Sequence, residues 1–192
     1  YALLTTSQIS AFTTDQIASL RPLFIAALVT SSIAALSTNQ VVALRTDQAG
    51  ALTSGQMVAL TTAQIAALET RDVAALSTNS VSALSTDQLS KGLTTDQIVA
   101  LRTDQVATLT TTLIGALTTN QIAAMETRDI AALTTAGVAA LSTDHIGKGL
   151  TTDQIVALRT DHLAALTTRQ VAALTTTQVA ALETREDRKC VV

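Results

Sequence analysis

An eight-residue unit repeats through the chain and limits the folds that the chain can adopt. Counted from Thr5, 23 consecutive units reach ETREDRKC, which begins at Glu183. Position two is Thr in 21 units, and position four is Gln in 13. Position five is apolar in every unit except the last, where it is Asp187, and position eight is Leu in 20 units. Such a chain builds its core by stacking near-identical units, not by folding into one irregular globule.

A longer period of seven units, six of eight residues and one of nine, lies on top of the first. The sequence Lys-Gly-Leu ends the two nine-residue units, at 91–93 and at 148–150. The same spacing separates three arginines at position one: Arg45, Arg102 and Arg159. We therefore divide the chain into divergent N-terminal repeats (1–36), two super-repeats (37–93 and 94–150) and a truncated third copy with a polar C-terminal end (151–192).

The unit favours a short helix over a strand. Thr or Ser at its start suits a helix N-cap, and where position one is a hydroxyl residue the Gln at position four completes a capping box. The preceding Leu and the apolar residue at position five match a hydrophobic staple. Ala at positions six and seven favours helices, and the apolar residues at five, seven and eight do not alternate as in a strand. Either of the first two positions suits the cap; because position two is more uniform, we predict that position two is the cap.

These patterns predict an all-α protein, a tight α-solenoid of short helices with one helix per eight-residue repeat; a β-solenoid is the alternative. One continuous helix is excluded because eight residues advance about 800°, so that successive leucines drift by about 80° and form no seam. The insertions at Gly92 and Gly149 predict helix ends with glycine in the left-handed conformation. The last unit carries three charged residues where Ile, Ala and Ala are expected, which predicts a real end of the array: Asp187, Arg188 and Lys189.

Composition limits the chemistry of the chain. Charged residues make up 14%, the formal net charge is -3 and the sequence pI is about 5.2, which excludes the basic surface that nucleic-acid binding requires. No run of 18 apolar residues is present, so we expect no transmembrane segment. The chain begins with Tyr1 and has no signal-peptide pattern, which is typical of a fragment, a processed product or the ordered part of a longer protein. The single cysteine, Cys190, excludes an intrachain disulfide framework.

Two histidines, His145 and His162, stand at position four, where Gln is usual. A metal site needs converging ligands, and the sequence has no His-x-x-His motif, cysteine pair or Asp cluster. Asp recurs at position three, as at Asp87 and Asp96, where its charge suits the first turn of a helix without the spacing of a calcium loop. We predict Gln-like contacts for both histidines, no catalytic, cofactor-binding or metal site, and no enzymatic activity.

The tandem form ALTTxQIAAL is similar to low-complexity repeats in very large bacterial exoproteins, which are often labelled as adhesion or haem-utilisation proteins. This resemblance covers nearly the whole chain and implies a secreted or surface-attached fibrous protein. We predict a structural repeat protein, extracellular or at the bacterial cell surface, that forms a fibre or filament and self-associates into polymers or sheets. The alternative is a binding solenoid or adhesin stalk whose positions one, three and six present a repeated recognition face. No nucleic acid and no cofactor is expected as a partner.

Overall fold

Short helices, one for each repeat unit, make up the protein. The computed structural model describes the backbone of residues 4–189 and the side chains of residues 4–183. Every regular element in that part of the chain is helical, which confirms the predicted all-α solenoid and excludes the β-solenoid. The elements, including two π-helical segments, are α1 (Thr6–Ser10), α2 (Thr14–Ser19), α3 (Pro22–Ala27), α4 (Thr30–Ala34), α5 (Thr38–Val42), α6 (Thr46–Gly50), α7 (Ser54–Ala59), α8 (Thr62–Ala67), α9 (Thr70–Ala75), α10 (Thr78–Ser82), π1 (Gln88–Gly92), α11 (Thr95–Val99), α12 (Thr103–Ala107), α13 (Thr111–Ala116), α14 (Thr119–Ala124), α15 (Thr127–Ala132), α16 (Thr135–Ala139), π2 (His145–Gly149), α17 (Thr152–Ala157), α18 (Thr160–Ala165), α19 (Thr168–Ala172) and α20 (Thr176–Lys189). None of the helices within residues 4–189 is both long enough and apolar enough to cross a membrane.

The hydroxyl at position one caps most of the helices, so the prediction that position two is the cap is wrong. In unit 8, Thr61 Oγ1 accepts a hydrogen bond from the Gln64 N–H (3.2 Å), and Gln64 Oε1 accepts one from the Thr61 N–H (2.8 Å). Thr62, at position two, is the first helical residue. Position one is the cap because only this register places Gln at N3 for the capping box. It also places the preceding Leu and the position-five residue where they form the staple.

Each helix ends after one and a half turns without a special backbone conformation. In unit 8, the Leu68 N–H donates to the Ile65 carbonyl (3.2 Å), and Leu68 itself is extended with φ -61° and ψ 136°. Glu69 is also extended and begins the next unit. No residue of the described backbone has a positive φ. The link between helices is therefore short and open to any residue type.

The helices wind into a superhelix with between three and four units in each turn. Each helix packs against the helix three units along the chain, as α6 does against α9 and α12 against α15. Side-chain hydrogen bonds reach one unit further, because Gln64 in unit 8 donates to the Leu36 carbonyl in unit 4. Since the third and fourth neighbours both lie in the adjacent turn, seven units complete close to two turns. Seven units are also the length of the super-repeat.

The core runs along the inside of the superhelix and is built from positions five and eight. Position five is buried in units 1–19 and position eight in units 3–19. Position four is buried in units 4–22 and exposed or half-buried in the first three. Burial of position four is therefore lost where no turn precedes it, and burial of position five is lost where no turn follows. Position four faces the preceding turn, and position five faces the following one.

The two nine-residue units absorb their extra residue as a π-helical turn. The Leu93 N–H donates to the Gln88 carbonyl (3.0 Å), and the Leu150 N–H donates to the His145 carbonyl (2.8 Å), both five residues back. The prediction of left-handed glycines is therefore wrong. Gly92 is needed for close packing instead, because a Cβ there would lie 3.1 Å from Ile65 Cγ2 in the preceding turn.

The helix α20 departs from the rule of one helix per unit, because its 14 residues run through units 22 and 23 without a break. In the other units, the break lets the apolar residues at positions five and eight fold back onto the core. Unit 23 has Asp187 at position five, so a break there would bury no apolar side chain. The side chains of Asp187, Arg188 and Lys189, and the whole of Cys190, lie outside the described part of the structure.

Candidate functional site: a ladder of hydrogen bonds between turns

A row of side-chain hydrogen bonds joins each turn of the solenoid to the turn before it. The side chain at position four of one unit donates to the carbonyl at position eight of the unit four places earlier. We call this row the ladder. Its donors in the described part of the chain are Ser32, Gln40, Gln48, Gln56, Gln64, Ser80, Gln88, Gln97, Gln105, Gln121, His145, Gln154, His162, Gln170 and Gln178.

Each ladder glutamine also caps its own helix. Gln97 Oε1 accepts from the Thr94 N–H (2.9 Å), while its Nε2 donates to the carbonyls of Leu68 (2.6 Å) and Ile65 (3.0 Å) in the preceding turn. The side chain is only 2% exposed. Buried amide groups of this kind need partners for both ends. The glutamine side chain thus pairs with a backbone N–H at the start of its own helix and with backbone carbonyls at the end of a helix in the preceding turn.

The histidines reproduce the glutamine contacts, as predicted. His145 Nδ1 accepts from the Ser142 N–H (3.2 Å), and its Nε2 lies 2.7 Å from the Leu117 carbonyl. His162 has the same pair of contacts with the Arg159 N–H and the Leu133 carbonyl. These partners require a neutral ring with its proton on Nε2. Burial lowers the pKa of His162, the nearby Arg159 charge lowers it further, and the bond to Leu133 opposes both.

Two positions of the ladder hold residues without a polar side chain. Leu113 and Gly137 replace the donor in units 14 and 17, which lie in adjacent turns. Leu113 is buried, and the neighbouring Ile114 extends its Cδ1 to within 2.5 Å of the place that a Cβ at Gly137 would occupy. Glycine at 137 therefore leaves the space that Ile114 fills.

Two acidic interruptions remain, Asp72 and Asp129, which occupy equivalent places in the two super-repeats. Asp72 is fully buried, its Oδ1 accepts from Thr46 Oγ1 (2.8 Å), and its Oδ2 is buried without a partner. Asp129 repeats this arrangement with Thr103 (2.7 Å). Burial raises the pKa of both carboxyl groups, and the hydroxyl hydrogen bonds and neighbouring arginines oppose the rise.

Surface arginines make a second contact between turns. Arg45 Nη1 donates to the Ala18 carbonyl four units earlier, while its Nε pairs with Asp47 Oδ1 (3.0 Å). Arg102 and Arg159 repeat this pattern. Hydrogen bonding to its arginine lowers the pKa of Asp47, and Arg159 lowers that of Asp161 to about 2. These pairs are exposed, so their contribution to stability is small.

The described side chains contain no group of three or more His, Cys, Asp or Glu residues that could hold a metal ion. His145 and His162 lie two units apart, and each is bonded to its own carbonyl in the preceding turn. The acidic residues at position three lie one to a unit on the outer surface, as Asp87 does beside Lys91 (2.9 Å). The feature that recurs along the described part of the chain is the ladder of hydrogen bonds between turns.

Comparison with protein families decides what kind of repeat this is. The sequence profile of the ALTTAQ repeat matches residues 25–62, 65–103, 122–160 and 150–184. The chain belongs to the ALTTAQ repeat family. The second and third ALTTAQ matches begin and end one super-repeat apart. No curated protein and no solved structure matches the chain.

Proposed function

We propose that this ALTTAQ array is a structural rod that joins further copies of itself end to end, as the subunit of an extracellular fibre or a bacterial surface filament. The observation that carries the proposal is that its two ends have complementary chemistry. The similarity of the repeat to those of large bacterial exoproteins supports the location. The proposal assigns the array no catalytic role and no cofactor.

One end presents exposed apolar side chains and carbonyls to which no described group donates. Val171 and Val179, at position five of units 21 and 22, are 51% and 41% exposed, whereas position five is buried in units 1–19. No described group donates to the carbonyls of Leu166 and Leu174, which stand at the ladder position. A further turn would cover the valines and supply the donors.

The other end presents the missing donors. Gln8 and Gln16 cap their helices through Oε1, but their side chains are exposed and their Nε2 groups reach no carbonyl of the described chain. Leu23 and Phe24 add apolar surface beside them, and Leu23 is 82% exposed. Because a ladder donor always points to the preceding turn, this end fits the carbonyl end of a second copy. Contacts of this head-to-tail kind do not close and therefore generate open polymers.

Light scattering and electron microscopy of the 192-residue chain test the proposal. Mass that rises with concentration, together with long uniform fibres, supports it. A constant mass near 19.9 kDa contradicts it and favours the alternative, a soluble binding solenoid.

Matched variants locate the contact. Val171→Lys with Val179→Lys places charge on the carbonyl end and should abolish assembly. Val42→Lys with Val58→Lys places the same charge on valines of similar exposure along the side of the rod and should leave assembly intact. Loss of assembly only in the second pair would show that rods pack side to side, which contradicts the end-to-end contact.

A further inference from the structure

The acidic interruptions of the ladder differ from its other polar members in one chemical respect. Gln, Ser and His at position four all carry a hydrogen that they donate to the preceding turn. An ionised aspartate has only acceptors. At Asp72 the position-eight carbonyl four units earlier belongs to Leu44, which is 2% exposed and receives no hydrogen bond from any described group.

The arrangement at Asp72 leaves one unpaired acceptor on each side of the contact. Its Oδ1 already accepts from Thr46, while its Oδ2 is buried without a partner and the Leu44 carbonyl also lacks a donor. Asp129 repeats this, with Oδ2 unpartnered and with Leu101 as the corresponding carbonyl. Ser80 shows that a side chain shorter than aspartate reaches its ladder carbonyl, since its Oγ donates to Leu52 at 2.8 Å.

We propose that Asp72 and Asp129 are neutral carboxylic acids in the folded array, each donating its Oδ2 proton to the ladder carbonyl of the preceding turn. One proton then satisfies two buried groups that an ionised side chain leaves unsatisfied. The array thereby contains two proton-dependent hydrogen bonds between turns, one in each complete super-repeat. Loss of these protons places an unpaired charge between turns and loosens the array there.

The charged groups around Asp72 do not remove the need for the proton. On its own helix, Arg71 Nε lies 3.9 Å from Oδ1, but its guanidinium is exposed and pairs with Glu69. On α6, Arg45 is paired with Asp47, and at the start of α12, Arg102 is paired with Asp104. On α11, the charged residue is Asp96, which disfavours a second negative charge.

Asp129 has the same surroundings in the next super-repeat. Arg128 pairs with Glu126 on its own helix, and Arg102 and Arg159 each pair with an aspartate on the packed elements. On α17 the charged residue is Asp153. Every arginine near either buried carboxyl group thus has another carboxylate as its partner.

The direction of the pH effect follows from the raised pKa of these carboxyl groups. The ordinary pKa of Asp is 3.8, and in the unfolded chain the proton leaves near that pH. The folded array keeps the proton to a higher pH, so the stability that it provides is complete below pH 3.8 and declines as the pH rises toward the folded pKa. In that range, the unfolding equilibrium constant rises tenfold per pH unit for each site.

Carboxyl carbon NMR of the full chain labelled with ¹³C-aspartate tests the proposal directly. We expect the Cγ signals of Asp72 and Asp129, assigned with Asp72→Asn and Asp129→Asn, to titrate above pH 3.8, and that of Asp47 to titrate below it. Midpoints at or below 3.8 for the two buried residues would overturn the proposal. So would a shift of their signals on addition of calcium or potassium chloride at fixed pH, because a cation would then bridge the oxygens.

Urea unfolding from pH 4 to pH 8 provides a second measurement. The double variant Asp72→Asn/Asp129→Asn keeps a neutral donor at both sites, so its unfolding constant should lack the pH-dependent rise of the wild type. The control Asp15→Asn/Asp87→Asn removes two exposed carboxylates that lie outside the elements packed against α9 and α15, and it should keep the pH-dependent rise of the wild type. A ratio of wild type to the buried double variant that stays constant with pH would contradict the proposal.

Discussion

Replacing Gln97 with Met measures what one ladder bond contributes to the array. Methionine has nearly the volume of glutamine and similar helix propensity, so the change removes polar contacts without creating a large cavity. Gln97 accepts from the Thr94 N–H (2.9 Å) and donates to the Leu68 carbonyl (2.6 Å). Both of these partners lose a hydrogen bond in Gln97→Met.

The expected loss can be worked from those two groups. Leu68 is buried, and a buried acceptor left unsatisfied costs about 1–3 kcal/mol. Thr94 is exposed, so loss of its capping bond should cost about 1 kcal/mol, as for other capping residues. Gln97→Met should therefore lower the free energy of unfolding by about 2–4 kcal/mol. The Ile65 carbonyl adds little because it still accepts from the Leu68 N–H (3.2 Å).

Gln16→Met is the matched control. Gln16 makes the same capping bond, from the Thr13 N–H (2.8 Å), but it is exposed and has no ladder bond. Its loss should therefore cost only about 1 kcal/mol, as for other capping residues. Urea unfolding followed by circular dichroism gives both values, and hydrogen exchange at Thr94 locates the effect. Equal losses in the two variants would refute the reasoning, because the ladder bond would then contribute nothing beyond the cap.

Two further predictions concern the interior of the array. Ile122→Asp buries an uncompensated charge at a fully buried position and should lower the free energy of unfolding by about 3–5 kcal/mol, whereas Val58→Asp, on the exposed surface, should change it little; thermal unfolding of both decides this. His145→Gln and His162→Gln should be nearly neutral at pH 7, because both contacts are kept. Below pH 6.5 the wild type should lose stability relative to His162→Gln, since burial lowers the pKa of His162 and the unfolded chain takes up the proton first; a pH-independent difference would contradict this.

The sequence predicted the helices because cap, staple and apolar positions are all local. It misplaced the cap at position two, although the capping box with Gln64 and the staple both required position one. It also predicted left-handed glycines at 92 and 149. Gly92 is instead explained by its packing against Ile65, which is distant in the sequence and lies in the preceding turn of the superhelix. Local propensity contains no information about that neighbour.

The sequence predicts only one of the two kinds of hydrogen bond that a ladder glutamine makes. The capping role of Gln97 Oε1 follows from the spacing T-x-x-Q, but the Nε2 bond to Leu68 depends on how many units complete a turn, which a uniform repeat does not reveal. The replacement of Gln by His145, His162 and Asp72 was the available signal. Two of those side chains retain a donor, which indicates a partner beyond the residue's own helix.

The ladder also determines how the array responds to mechanical load. Every ladder bond joins residues 28 or 29 positions apart and lies between two turns, so a pull along the axis of the superhelix acts on these bonds before it acts on any single helix. Neighbouring turns are joined by apolar packing and by a series of similar hydrogen bonds, each of modest strength, which can break and re-form one after another. Released turns retain their chain connection and add extended length. Under tension, such an array would therefore lengthen turn by turn and recoil when the load is removed.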